Sequence, residues 1–146
     1  MSLELHRGPL NVDEITNRWY GKLKDKNYGA YIPFIGIVRD ENKISGLSFD
    51  IYEPILNSWF KAWQEKAKNK DSYLLMAHSI GDVPNHCSSY MSAVASPHRV
   101  EALKMISSFV EDFKVSAPIW KYDLINKERV YAKKRSTALK GAGLLK

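Results

Sequence analysis

The stretch SYLLMAHSIGDVPNHCSSYMSAVA, residues 72–95, decides the fold. Ser72 to Ile80 is mostly apolar and reads as a strand, Gly81 to Asn85 carries turn chemistry, and His86 to Ala95 reads as a second strand. Together they predict an antiparallel hairpin. Ser96-Pro97 then opens a helix, because serine caps helix starts well and proline is favoured at the first helical position. Ala102, Leu103, Ile106, Phe109, Val110 and Phe113 recur at helical spacing and give this helix its buried face. Pro118 stops it at or before Ala117.

Upstream, Leu3 to His6 is a short strand closed by Gly8-Pro9, and Asn11 caps a helix from Val12 to Lys24. Asn27-Tyr28-Gly29 is a turn signal. Ala30 to Val38 is expected as a buried strand, with Pro33 demanding an edge position or a bulge. Arg39 to Ser45 is a polar loop and Leu47 to Tyr52 a further strand. Glu53-Pro54 opens a helix whose Ile55, Leu56, Trp59, Phe60, Trp63 and Ala67 form a core stripe. Downstream, Ile119 to Ile125 and Arg129 to Ala132 are a last pair of strands around Asn126-Lys127. The order β-α-β-β-α-β-β-α-β-β, with several short turns between strands, predicts a single α+β domain of antiparallel strands and about three helices.

The 146 residues suit one core, and no apolar run approaches a bilayer span of roughly 20 residues. The start, MSLELHRGPL, has no apolar segment of the secretory kind. Cys87 is the lone cysteine, which fits a reducing cytoplasm. Lys and Arg number 22 against 16 acidic residues, a net charge of +6 that favours an anionic partner. The excess gathers in the tail from Lys127 to Lys146, of which residues 136–146 read as a basic extension beyond the domain.

Nucleotide-loop and zincin signatures are absent, and His6, His78, His86 and His98 show no metal-ligand spacing, so neither a metal nor another cofactor is expected. Cys87 has no helix end or cation pattern to activate it and reads as a structural thiol. Two clusters stand out. Ser96-Pro97-His98-Arg99 places two basic side chains at a helix start, which is either an anion site or a pair of solvated residues. Lys114 at the end of the same helix is explained by the dipole alone, whereas Lys121, in the run Pro118-Ile119-Trp120-Lys121, sits beside an aromatic in an extended stretch and suits proton transfer or nucleophilic work. His98 and Lys114 are 16 residues apart on one helix, about 24 Å at 1.5 Å per residue. They meet around one small substrate only if two protomers share the site or the helix breaks.

Three blocks carry a family resemblance: Gly29-Ala30 with Phe34-Ile35-Gly36-Ile37-Val38-Arg39; Ser96-Pro97-His98-Arg99; and Lys114 with Ala117-Pro118-Ile119-Trp120-Lys121. In this order and spacing the chain resembles the large, catalytic subunit of molybdopterin synthase over about residues 3 to 135. The resemblance implies an α/β-hammerhead fold and a heterotetramer: a central homodimer of large subunits with a small ubiquitin-like sulfur carrier at each end. It implies sulfur transfer from the carrier's C-terminal thiocarboxylate to cyclic pyranopterin monophosphate, making the molybdopterin dithiolene of molybdenum cofactor biosynthesis. By resemblance Arg39, His98 and Arg99 bind substrate, Lys114 is the essential lysine near the carrier's C-terminus, and Lys121 is a second active-site lysine that also contacts substrate. Ile37, Val38, Tyr122 and Asp123 neighbour these anchors, and Tyr131 with Arg135 matches a C-terminal aromatic-to-arginine spacing. The chain departs from the family pattern at Val115-Ser116, in the turn Asp82 to His86, and after Tyr52. The rival from another class is a non-enzymatic basic module for nucleic acid. It is disfavoured because the aromatics fall at helix-core spacing instead of interleaving with the cations.

Overall fold

The computed structural model of the chain describes residues 2–41 and 43–131. The expected element order holds: β1 (Leu3–Arg7), α1 (Val12–Leu23), β2 (Ala30–Ile37), β3 (Gly46–Ile51), α2 (Glu53–Lys68), β4 (Tyr73–Pro84), β5 (Ser88–Ser96), α3 (Arg99–Ser116), β6 (Ile119–Ile125) and β7 (Glu128–Tyr131). The strands hydrogen-bond in the order β2-β5-β4-β3-β6-β7, and β1 joins β4. The β1–β4 pair is parallel and the other pairings among the described residues are antiparallel, so the domain is α+β.

The hairpin at the centre differs from expectation in one respect. β4 does not stop at Ile80: Tyr73 to His78 pair with β5, Met76 to Ile80 with β1, and Gly81 to Pro84 with β3. Gly81 bends the strand with φ +82°, a conformation open to glycine at no steric cost, so a residue that reads as a turn is a pivot inside a strand. The actual turn is Asn85 to Cys87, with His86 at φ 71°. Cys87 therefore lies in the turn and not in the following strand.

The sheet is covered on both faces. α1 lays Ile15, Trp19 and Leu23 over Leu75, Ala77, Met91, Ala93 and Ala95. α2 and α3 lay Leu56, Phe60, Ala67, Ala102, Ile106 and Phe109 over Leu74, Met76, Tyr90 and Val94. Alternate residues of β4 and β5 thus serve two cores, which is why both strands read as nearly continuous apolar runs. Of the predicted α2 stripe, Leu56, Phe60 and Ala67 are buried and Trp59 and Trp63 pack at the margin, while Ile55 is exposed.

Two further expectations are corrected. β2 is not buried. It has β5 as its neighbour and ends the sheet, so Phe34, Ile35 and Ile37 are exposed, and Pro33 occupies the edge position its missing N–H requires. A bulge falls later, between Gly36 and Ile37. Ser96 is not the α3 cap. It is the last residue of β5, its hydroxyl is bonded to that of Ser72 at 2.6 Å, and its carbonyl accepts the Gly29 N–H at 3.1 Å. His98 takes the cap position in extended conformation, without a side-chain cap bond. Asn11 caps α1 as expected, its side-chain oxygen accepting the Glu14 N–H. Arg135, Ala132 and the basic segment 136–146 lie outside the described residues.

β1 is pinned to α1 through Glu4. Arg18 donates to both carboxylate oxygens (2.6 and 2.8 Å), the Trp19 indole N–H to Oε2 at 2.8 Å, and His6 Nε2 lies 2.9 Å from Oε1. Burial alone pushes this carboxyl's pKa up, but the hydrogen bonds from Arg18, Trp19 and His6 outweigh it and bring it down to about 2. Its stabilising contribution is complete above the ordinary value of 4.5 and lost as the pH falls toward 2. Arg18 is half-exposed, which tempers the magnitude. Glu4→Gln is expected to lower the unfolding free energy by about 1–2 kcal/mol at pH 7. In denaturant titrations the gap to the native protein closes as the pH drops from about 4.5 to about 2, where Glu4 itself is neutral.

Candidate active site

Two ends of the molecule hold the predicted anchors. At one end, the segment after β2 continues its pairing with the β4–β5 turn: the Val38 N–H donates to Cys87 O at 2.9 Å and Val38 O accepts from His86 N–H at 2.7 Å. Val38 is buried against Phe49 and Val83, with Leu47, Cys87 and Ile119 packed around them. That packing carries Arg39, the next residue, to the β3–β6 pair. Its guanidinium is 78% exposed and holds Glu41 at 2.9 Å.

Lys121 stands on β6 directly opposite Phe49, and Asp123 opposite Leu47. Directly opposed residues project from the same face. Lys121 and Asp123 therefore share the face of the Val38 cluster. Tyr122 alternates to the other face, opposite Ser48, where its ring lies 5.7 Å from Tyr131 and 4.0 Å beneath the Arg129 guanidinium. Burial first, and the Asp50 carboxylate second, push the Tyr122 phenol pKa upward. Its side chain thus belongs with Asp50, Tyr52 and Trp120, around a shallow groove of about 220 Å3, and not with Lys121.

Lys114 is exposed on the last turn of α3. That turn is clasped to α2: the Trp59 and Trp63 indoles both donate to Asp112 Oδ2 (2.9 and 2.7 Å), and Ser116 donates to Oδ1 at 2.7 Å. Burial raises the Asp112 pKa, and these three donors with Lys66 pull it below the usual carboxylate value. The neighbour of Lys114, Phe113, packs inward on Tyr90 and His78, with ring centroids at 4.2 and 5.6 Å. His78 in turn meets Phe49 edge-on at 4.9 Å. Phe49, the register partner of Lys121, and Phe113, the residue before Lys114, thus belong to one aromatic floor around His78. His78, Phe49, Tyr90 and Phe113 carry no motif. The sequence signs were Phe113 on the buried face read for α3 and an imidazole at an even position of β4, in the row of Leu74 and Met76.

His98 and Arg99 lie at the opposite end. Ala30 at the start of β2 pairs with Ser96, and a Cβ on Gly29 would sit 2.3 Å from Pro97 O, so the backbones touch there. α3 is unbroken over 18 residues, about 27 Å. Within one chain, His98 and Arg99 therefore stay apart from Lys114. Near that end a groove of about 470 Å3 is lined by Tyr28, Gln64, Lys68, Asp71, Tyr73 and Pro97. Among the described residues no group of His, Cys, Asp and Glu is placed to hold a metal ion.

A family model described as MoaE protein matches residues 5–116. The chain belongs to the MoaE protein family. It is similar over nearly its whole length to a molybdopterin synthase catalytic subunit of Helicobacter pylori, with 48% identity over 143 residues, 98% of this chain and 99% of the relative. A solved protein–protein complex of subunits 1 and 2 of molybdopterin-converting factor from Helicobacter pylori contains a chain 47% identical, with a TM-score of 0.94 and full coverage of both chains. Molybdopterin synthase from Staphylococcus aureus, at 22% identity, shares the fold with a TM-score of 0.77 over 90% of this chain and 96% of its own. The MoaE-type α+β fold is thus the one this chain adopts.

His78 gives this floor a pH signature. The imidazole is 2% exposed, and burial brings its pKa from 6.5 down to about 4 against a weak opposing bond to Ser79 O. Between those values the unfolded chain binds the proton and the folded one does not, so stability falls as the pH falls from about 6.5 to about 4. The drop is expected to reach about 3 kcal/mol at most. Urea titrations across that range are expected to show it in the native protein and to lose it in His78→Phe.

Proposed function

We propose that this MoaE-family chain is the catalytic subunit of a molybdopterin synthase. It transfers sulfur from the thiocarboxylated C-terminus of a small ubiquitin-like carrier to cyclic pyranopterin monophosphate. The observation that carries this is the end-to-end likeness to a molybdopterin synthase catalytic subunit, and the reading is supported by an aromatic cluster whose Phe49 pairs with Lys121 and whose Phe113 precedes Lys114. Sulfur arrives on the carrier, so the chain needs cations and no thiol of its own. A phosphate needs fixed positive charge, and negative charge developing at the thiocarboxylate needs a nearby donor. Lys114, exposed on a clasped helix end, is assigned to the carrier's C-terminus. Lys121 is assigned substrate contact and proton transfer. Arg39 exchanges its Glu41 partner for the substrate's phosphate. Ile37, Val38 and Asp123 line the same end, and Tyr122 contributes through its backbone, because its ring faces away.

The other half of the pocket comes from a second copy. β2 offers an open edge and exposed Phe34, Ile35 and Ile37, an apolar strip of the kind a partner covers. A two-fold axis beside β2 and α3 brings the partner's helix start next to this chain's helix end. His98 and Arg99 then reach the neighbouring pocket and complete an anion site at a helix N-terminus. The working assembly is a central homodimer with a carrier at each end, the domain spanning residues 1–135 and the basic segment 136–146 lying beyond it. Arg135 is assigned to substrate contact on the resemblance alone. No helix among the described residues is long and apolar enough to cross a membrane, and the lone thiol suits the cytoplasm.

The test is reconstitution with thiocarboxylated carrier and cyclic pyranopterin monophosphate, followed by assay of molybdopterin. Absence of product from an intact complex overturns the assignment. Lys114→Ala is expected to lower turnover by about 10²-fold or more while the carrier complex still forms on a sizing column. Cys87→Ser, at a side chain packed against the Val38 cluster, is expected to keep turnover within about twofold. Mixed dimers of His98→Ala and Lys114→Ala chains should recover up to about half the native activity per pocket pair, since one pocket of two is intact. A mixture as inactive as its parents places each site within one chain.

A further inference from the structure

His78 touches residues flanking both lysines, and no role in sulfur transfer has been assigned to it. Its ring meets Phe49 edge-on (4.9 Å, 84°) and Phe113 at 5.6 Å, while its cross-strand partner Tyr90 stacks on Phe113 at 4.2 Å and 21°. Phe49 is the register partner of Lys121, and Phe113 directly precedes Lys114. A continuous line of rings, Phe49–His78–Phe113, therefore joins the register partner of Lys121 to the residue before Lys114. The rings belong to β3, β4 and α3, which meet at this point, so nothing local fixes their spacing.

We propose that His78 is a positioning residue for the reaction: a buried spacer that sets the separation of Lys114 and Lys121 through the Phe113 and Phe49 rings. It rests on the role in sulfur transfer proposed above for those lysines. Three properties fit the task. The ring is fully buried, so it reaches no substrate and does not act as an acid or base itself. Its rotation is fixed, because Nδ1 lies 2.7 Å from the Ser79 carbonyl and donates to it. Ser79 lies two residues before the Gly81 pivot, so the bond ties the ring to the part of β4 where the strand bends. Neutral at physiological pH, the imidazole adds no charge to the cluster of rings. Edge-on and tilted ring contacts of this kind prefer defined centroid distances, whereas an aliphatic side chain of similar volume leaves the two phenyl rings free to settle closer.

The experiment compares native protein, His78→Phe and His78→Leu in the full complex with carrier, each normalised to its folded fraction. Leucine is expected to lower kcat at least tenfold with KM within twofold. Phenylalanine, which restores the ring without the N–H, is expected to bring kcat back to within about threefold. In parallel, amine-specific labelling read by mass spectrometry gives the ratio of Lys114 to Lys121 reactivity, which should shift at least threefold in His78→Leu and little in His78→Phe. A folded His78→Leu with kcat within twofold of native overturns the proposal, as does phenylalanine being as impaired as leucine. If the native complex makes no molybdopterin, the functional assignment fails separately, and the labelling ratio alone decides: an unchanged ratio in His78→Leu removes the spacer.

Discussion

β4 has to satisfy three neighbours along a single run of twelve residues. Its first half is a central strand between β5 and β1, with apolar residues alternating into two cores; its last four residues leave that company and pair with β3. A regular strand cannot do both, since twist and pleat would carry its end out over α1 or α3. Gly81, with its positive φ, resolves the conflict, and the strand turns without surrendering its hydrogen bonds. Everything beyond the pivot follows from this bend. β3, β6 and β7 form a lobe set against the end of the main sheet, and the residues on its inner face are the ones that meet Val38 and the aromatic floor.

The cations sit where they do because each is fixed by something apolar or backbone-bound a residue or two away. Val38 is locked by two main-chain hydrogen bonds, and Arg39 projects from it. Phe113 is sandwiched into the floor and Asp112 is gripped by two indoles, so Lys114 leaves a rigid helix end. Ile119 packs in the Val38 cluster two positions before Lys121. Long basic side chains have many rotamers to lose, and anchoring their backbones restricts where the charge can travel before substrate arrives.

Element order and type were legible because period and punctuation agreed: Asn11, Asn126-Lys127 and Pro118 all act as read. What could not be read was the competition for individual groups. Ser96 has the chemistry of a cap, but its hydroxyl is taken by Ser72, 24 residues away in sequence. Gly81 has the chemistry of a turn, yet a glycine that bends a strand and one that ends it look alike until the partner strand is known. β2 reads as buried because its composition is apolar, and composition does not say which strand of a sheet is last. The basic anchors were visible as three blocks, with the helix-length limit derived from spacing. The aromatic floor was not, because His78 meets Phe49 and Phe113 only through the tertiary fold.

α3 is unbroken, uncapped by any side chain at its start, and 18 residues long, with His98 and Arg99 at one end and Lys114 at the other. It is therefore a measuring rod as well as a packing element. Adding one residue to its interior would swing His98 and Arg99 about 100° around the axis and push them about 1.5 Å further from Lys114. In the symmetric pair proposed above both rods would lengthen together, so the error would enter each proposed pocket twice: once through the chain that supplies the lysines, and once through its neighbour. Lineages descending from such a dimer would be freer to vary the composition of this helix than its length.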